Sequence, residues 1–239
     1  MMGGARDIWV YLSTTPLLHL TLTLVAFQLG TWIYRRGGGN PMLNPVLLAV
    51  LMLVAVLVAT GTSYQRYFGG AQFVHFLLGP ATVALAIPLY RQIDRVRRSA
   101  LAMVASILAG SVTAAATAVG IGYVLGGSAT ALVSLAPKSV TAPVAMGIAD
   151  QLGGLPSLTA VLVILTGILG AMAGPGLLRL LRIDDPAARG TAMGTASHGI
   201  GTARAVQMGE VAGAFSGLAM GLNALATAIL LPLLWRLIF

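Results

Sequence analysis

Four stretches of this sequence, residues 37–65, 99–137, 151–178 and 211–235, contain no Asp, Glu, Lys or Arg. Each is longer than the roughly 20 residues a helix needs to cross a bilayer. Over the whole chain only 8% of residues are charged and 57% are hydrophobic, whereas a water-facing domain carries roughly 25% charge. A surface this poor in charge belongs in lipid, so the chain is an integral membrane protein. The expected fold class is an all-α polytopic membrane protein, with residues 1–239 forming one integral membrane domain of about six to eight membrane segments.

The charges that remain mark topology. Thirteen of the fourteen basic residues are Arg and sit between apolar spans, so the net charge of +8 reads as positive-inside signalling and not as a nucleic-acid surface. Arg35, Arg36 and the group Arg91, Arg95, Arg97 and Arg98 are assigned to the cytoplasm, which puts Arg66, the glycines at 126–127 and the N-terminus outside. The apolar run 17–34 lacks a small-residue cleavage site and reads as a retained helix, not a removed signal peptide. Further helices are expected over residues 44–59, 73–90 (interrupted by Gly79, Pro80 and Pro88), 99–125, 157–178 and 211–234. Arg179, Arg182 and Arg189 return to the cytoplasm, so an odd number of crossings separates Gly127 from Arg179. Residues 157–178 form the clean span, which leaves residues 130–149 to enter and return. That segment is short and contains Pro137 and Pro143. Non-helical backbone at membrane depth is tolerated only where protein or a watery cavity satisfies it, so the parity argument points at a site. Residues 190–207, rich in Gly, Ser and Thr, form a second expected broken element. The partial match between residues 80–83 (PATV) and 137–140 (PKSV) suggests an inverted repeat.

Two constellations could carry chemistry. In residues 136–143 (APKSVTAP), a proline-initiated half-helix offers free N–H groups and a positive dipole end. Lys138, the single lysine, adds a cation, and Ser139 and Thr141 add hydroxyls; together these suit a carboxylate. The plain reading is that Lys138 snorkels to the interface and the hydroxyls bond back to the helix. In residues 195–204 (TASHGIGTAR), glycines allow close backbone approach, Ser197 and Thr202 supply hydroxyls, Arg204 can grip a carboxylate, and His198 can exchange a proton near neutral pH. Here the plain reading is glycine packing and a cytoplasmic Arg. Gly213, Gly217 and Gly221 repeat every four residues on one helix face and read as helix-packing positions. Glu210 either pairs with Arg204 or opens the last helix. His19 and His75 read as core histidines, and Asp150 as an interfacial acid.

Several functions are excluded. With no Cys there are no thiolate metal sites, disulfides or iron–sulfur clusters, and neither a metal nor another cofactor is expected. No phosphate-binding loop supports direct use of ATP. Ser197 and His198 are adjacent but sit in no nucleophile elbow, and no carboxylate is placed to orient the histidine, so the chain does not read as an enzyme.

Taken together, residues 43–46 (LNPV), 75–85 (HFLLGPATVAL), 134–147 (SLAPKSVTAPVAMG), 197–205 (SHGIGTARA) and 213–223 (GAFSGLAMGLN) resemble the LrgB/CidB family of antiholin-like, murein hydrolase export regulators. One departure is the lack of an acid near Gly147, which argues against a cation site at that turn. The resemblance implies a multi-pass protein of the bacterial inner membrane with a smaller holin-like partner of the LrgA/CidA type. The chloroplast relative is a glycolate and glycerate translocator, and bacterial members are connected with pyruvate. Resemblance and residues together imply a proton-coupled secondary transporter of small monocarboxylates. In it, Lys138 and Arg204 hold the carboxylate, Ser139, Thr141, Ser197 and Thr202 bond the hydroxyl or keto oxygen, and His198 carries the proton. The alternative is an antiholin-like regulator that changes membrane permeability by assembling with the partner or with copies of itself.

Overall fold

A computed structural model describes residues 16–84 and 86–238. The expected outside placement of residues 1–7 falls outside the described residues, as does Phe239. Among the described residues every regular element is helical, and four helices are long and apolar enough to cross a membrane. The chain divides into two compact units, residues 1–83 and 84–239.

The first unit holds helices α1 (Pro16–Arg36), α2 (Pro45–Thr60) and α3 (Tyr64–Phe76), with a 3-10 turn at Pro41–Leu43 before α2. Asn44 caps α2 by accepting from the amides of Val46 and Leu47, Pro45 fits its first turn, and Gly61 ends it with φ 64°. Gly30 of α1 lies so close to the carbonyl of Pro45 that a Cβ would stand 2.7 Å from that oxygen. His19 is buried edge-on against Tyr67, and Thr23 shares a 2.9 Å hydrogen bond with the Tyr67 hydroxyl. The side chain of His75 lies outside the described atoms. The short α4 (Leu78–Ala84) leads to the second unit.

The second unit contains α5 (Ala86–Arg91), α6 (Ile93–Val124), α7 (Ala129–Leu135), α8 (Ala142–Gln151), α9 (Pro156–Leu180), α10 (Pro186–Met208) and α11 (Glu210–Ile238). Three of these, α6, α9 and α11, are long apolar spans. Their direction follows from what their ends touch. Arg91 pairs with Glu210 and Arg95 with Asp185, so the start of α6 and both ends of α10 share one arginine-rich end. Tyr123, Gly127, Gly153 and Trp235 line one small cavity, so the end of α6, the outer ends of α7 and α8, and the end of α11 share the other. Among the described residues between Gly127 and Arg179, only α9 is long and apolar enough to cross a membrane.

Both expected broken elements are present. Helices α7 and α8 form a hairpin that enters from the far end and turns at residues 136–141. Helix α10 breaks at Ser197 (φ −132°, ψ 16°) and His198 (φ 42°, ψ −135°). Gly190 faces Ala212 and Gly194 faces Ser216, so residues 186–196 run parallel to α11. Beyond the break Thr202 meets Ser216 and Val206 meets Gly213, so residues 199–208 run antiparallel to it. Helix α10 is therefore a second hairpin, entering from the arginine-rich end. The sequence hint of a repeat paired residues 80–83 with 137–140. Pro80 lies in α4, and the element that opposes the Pro137 turn is the break at Ser197–His198.

Candidate functional site

The tip of the first hairpin is set by prolines and hydroxyls. Pro137 and Pro143 cannot continue α7 or extend α8 backwards, so the chain turns between them. Ser134 ties the hairpin to the start of α9: its Oγ accepts from the Leu155 amide at 2.8 Å, and its carbonyl accepts from Thr159 Oγ1 at 3.0 Å. Lys138 is half-buried and donates to Ser139 Oγ at 3.3 Å. Thr141 occupies the N-cap of α8, yet its side chain makes no capping bond. The first amides of α8 thus keep donor capacity at the tip, where its dipole is positive.

The second tip is built against α9. His198 Nε2 lies 2.9 Å from the Val163 carbonyl and is buried. Glycines on α9 make room for it: a Cβ on Gly167 would stand 2.6 Å from His198 Cε1, and one on Gly170 would collide with Ser197. Thr202 donates to the His198 carbonyl at 2.9 Å and shares a 3.0 Å bond with Ser216 Oγ on α11. Val163 serves both hairpins, because its side chain packs with Val140 and Ala145 of the first while its carbonyl holds His198 of the second.

The tips meet at Asn223, midway along α11. Its Nδ2 donates to Thr195 O at 2.9 Å and to Ser139 O at 3.4 Å. Two buried oxygens at this junction, Asn223 Oδ1 and Thr195 Oγ1, have no hydrogen-bond partner. A cleft of about 530 Å³ runs from Ser99 and Asp185 at the arginine-rich end, past Ser106 and Thr191, to Thr195. Opposed half-helices meeting mid-span, with unsatisfied polar groups between them, form the arrangement in which transporters hold small ions and solutes.

The structure brings Lys138, Ser139, Ser197, His198 and Thr202 to the two tips, with Thr141 at the end of α8. Arg204 stands on the returning half of α10, about 9 Å along the helix from His198 at 1.5 Å per residue, and donates to Gln207 Oε1 at 2.8 Å. Glu210 pairs with Arg91 at 3.5 Å. Gly213 packs on Val206, where a Cβ would stand 2.9 Å from Cγ2; Gly217 is half-buried; Gly221 is exposed with open space around it. Asp150 is exposed at the far end. Sequence reasoning passed over Thr195 and Asn223 as site residues. An Asn at the centre of a charge-free helix is a readable signal, because an amide in lipid needs partners.

The LrgB-like family pattern matches residues 23–237. The antiholin-like protein LrgB of Bacillus mycoides (strain KBAB4) is 28% identical over 219 residues, covering 92% of this chain and 95% of the relative. Proteins of the same name from Bacillus cereus (strain B4264) and Bacillus anthracis (strain CDC 684 / NRRL 3495) match with the same identity and coverage. No solved structure matches the chain. Since the match takes in both hairpins and all three long spans of the second unit, this multi-pass membrane protein belongs to the LrgB-like family.

Proposed function

We propose that the chain is a secondary transporter of small monocarboxylates of the pyruvate, glycolate or glycerate class in the bacterial cytoplasmic membrane. The observation that carries this reading is the meeting of two opposed helical hairpins at Asn223, beside Lys138 and His198. The carboxylate is held by Lys138 and the uncapped start of α8, where a cation and a positive dipole end coincide. Ser139, Thr141, Ser197 and Thr202 supply hydroxyls around it. His198 donates through Nε2 to a carbonyl, which can only accept, so Nδ1 is the position that exchanges the proton. Arg204 is the cation on the returning half of α10, toward the arginine-rich side. Positive-inside logic makes that side cytoplasmic, and the cleft to Thr195 opens there. Alternating access moves one or both hairpins so that the junction opens to the other face.

The test is uptake of labelled pyruvate, glycolate and glycerate by the purified chain in liposomes under an imposed pH gradient. Saturable, gradient-driven uptake is expected, weakened at least about tenfold in Lys138→Met, in keeping with loss of a buried charge-assisted bond. Uptake of unchanged affinity in both Lys138→Met and Arg204→Gln sinks the site assignment.

A second reading is favoured by the exposed, open Gly221 face and by the antiholin-like names of the relatives. In it the chain regulates membrane permeability and murein hydrolase export by assembling with a smaller holin-like protein or with its own copies. Silence in the uptake assay with and without that partner, together with loss of association in Gly221→Leu, moves the weight to this reading.

A further inference from the structure

Beyond their midpoints α6 and α11 do not close on each other. A groove of about 570 Å³ runs between them, lined along α6 by Val112, Ala116, Gly120 and Tyr123 and along α11 by Leu231 and Trp235. Apart from the polar tips of the two aromatic residues, every side chain on it is apolar. Tyr123 is 70% exposed, Val112 is exposed too, and a Cβ on Gly120 would meet nothing within 4 Å, so the chain's own packing leaves the groove unfilled. Its inner limit is the level at which Ser111 Oγ and Thr227 Oγ1 share a buried 2.9 Å hydrogen bond that ties the two helices together. From Val112 to Tyr123 the helix rises about 16 Å at 1.5 Å per residue, half of the roughly 30 Å hydrocarbon thickness of a bilayer. A partner helix crossing the membrane follows a face about twice that long, whereas an acyl chain of one leaflet matches it.

The outer mouth of the groove is of a different character. There it shares Tyr123, Leu132 and Trp235 with the smaller cavity of about 350 Å³, to which Thr130, Gly127 and Gly153 bring a hydroxyl and bare backbone. Arg236 follows Trp235 on α11 and is exposed. Among the described residues of the second unit it is the one arginine at this end, where the positive-inside tendency gives it no topological role, and a guanidinium at headgroup depth suits a phosphate. An apolar furrow one leaflet deep, opening into a polar cavity beside a cation, has the shape of an amphiphile. We infer that this groove binds one acyl chain of a phospholipid from the leaflet opposite the arginine-rich end, with Tyr123 and Trp235 at the level of its glycerol and Arg236 on its phosphate. Because Leu132 of the first hairpin forms part of the wall, the bound chain also packs against that hairpin. The site lies away from the hairpin tips and holds whatever solute the chain carries.

Trp235 is a reporter built into the site, because a brominated acyl chain quenches indole fluorescence on contact. The sequence holds two other tryptophans, Trp9 and Trp32. A chain with Trp9→Phe and Trp32→Phe reports from the groove alone, and one with Trp9→Phe and Trp235→Phe reports ordinary lipid contact from Trp32, which is 53% exposed on α1. The probes, added to the purified full chain in maltoside micelles, are dibrominated phosphatidylcholine and dibrominated diacylglycerol with the same chains. Phosphatidylcholine is expected to quench Trp235 at a mole fraction at least about tenfold lower than it needs for Trp32, and at least about tenfold lower than diacylglycerol needs for Trp235. Gly120→Leu, whose side chain enters open space, fills the groove and brings Trp235 to the level of Trp32. Arg236→Gln removes the difference between the two probes. Quenching of Trp235 and Trp32 at the same mole fraction means contact with the general lipid layer only and overturns the inference. Absence of Trp235 quenching at any mole fraction means that protein covers the groove and overturns it as well, as does equal quenching of Trp235 by the two probes. Native mass spectrometry of the unmodified chain needs no variant to fold: one phospholipid retained after purification is expected, and none retained overturns the site.

Discussion

His198 Nε2 lies 2.9 Å from the carbonyl oxygen of Val163, so the bond that fixes the imidazole also joins the tip of the second hairpin to α9. The same histidine has φ 42° and ψ −135°, the combination that opens a type II′ turn and that glycine adopts most easily. Holding a side-chain-bearing residue there costs about 1–3 kcal/mol, and the buried hydrogen bond offsets part of it.

Comparing two substitutions at His198 separates bond from strain. His198→Ala loses the bond and keeps the strain, for a loss of about 1–3 kcal/mol. His198→Gly loses the bond but relaxes the backbone, and is expected to be about 1 kcal/mol more stable than the alanine variant. Thermal unfolding of the purified proteins measures the difference. Identical melting of the two variants shows that no strain is stored at the turn.

The glycines differ sharply in what surrounds them. A Cβ on Gly194 would enter the backbone of Ser216, and one on Gly170 would strike Ser197, while Gly221 has nothing within 4 Å. Gly194→Ala and Gly170→Ala are each expected to destabilise by about 1–3 kcal/mol through overpacking. Gly221→Ala is expected to be neutral or to gain up to about 1 kcal/mol from helix propensity. If all three variants melt alike, the close approach of α10 to α9 and α11 is wrong.

Because the chain has no native cysteine, single cysteines report topology without background. Asp184→Cys and Gln207→Cys flank the second hairpin and are expected to react with an impermeant thiol reagent from the same face of the membrane. Ala129→Cys and Gln151→Cys flank the first hairpin and react from the opposite face. Labelling of positions 184 and 207 from different faces would falsify the hairpin and make α10 a crossing.

Asn223→Leu removes the hydrogen bonds that tie α11 to Thr195 and Ser139. The carbonyls of Thr195 and Ser139 lose a buried donor, which costs about 1–3 kcal/mol where no replacement donor reaches. Faster proteolysis or hydrogen exchange confined to residues 136–141 and 195–199 is the expected signature. Unchanged protection at both tips would mean that they are held independently of Asn223.

The membrane class, the long spans and both broken elements follow from sequence because lipid imposes rules on single segments. A span must be about 20 residues long and nearly free of charge, and a segment with Pro137 and Pro143 around a lysine, or with Gly199 and Gly201 beside a histidine, reads as a broken element. Arginine placement then orders the crossings. The site is less legible, because polar residues within a broken element identify themselves while their partners on other helices do not. Lys138, Ser139 and His198 could be found in this way. Asn223 signals by its place in a charge-free helix that it needs partners, but that Thr195 is one of them, 28 residues away along the chain, is decided only by the fold.

What the sequence by itself determined is therefore local: which segments cross, which break, and which carry titratable groups in lipid. Only the tertiary structure decided that α10 enters and leaves at one end, that the two hairpins oppose each other, and that Asn223 joins their tips. Those outcomes depend on glycines at 167, 170, 190 and 194 letting backbones approach within the width of a side chain, on a turn at His198, and on ion pairs of Arg91 and Arg95 with residues 119 and 90 positions away. They are set by contacts between helices, and the periodicity of a single segment carries no record of them.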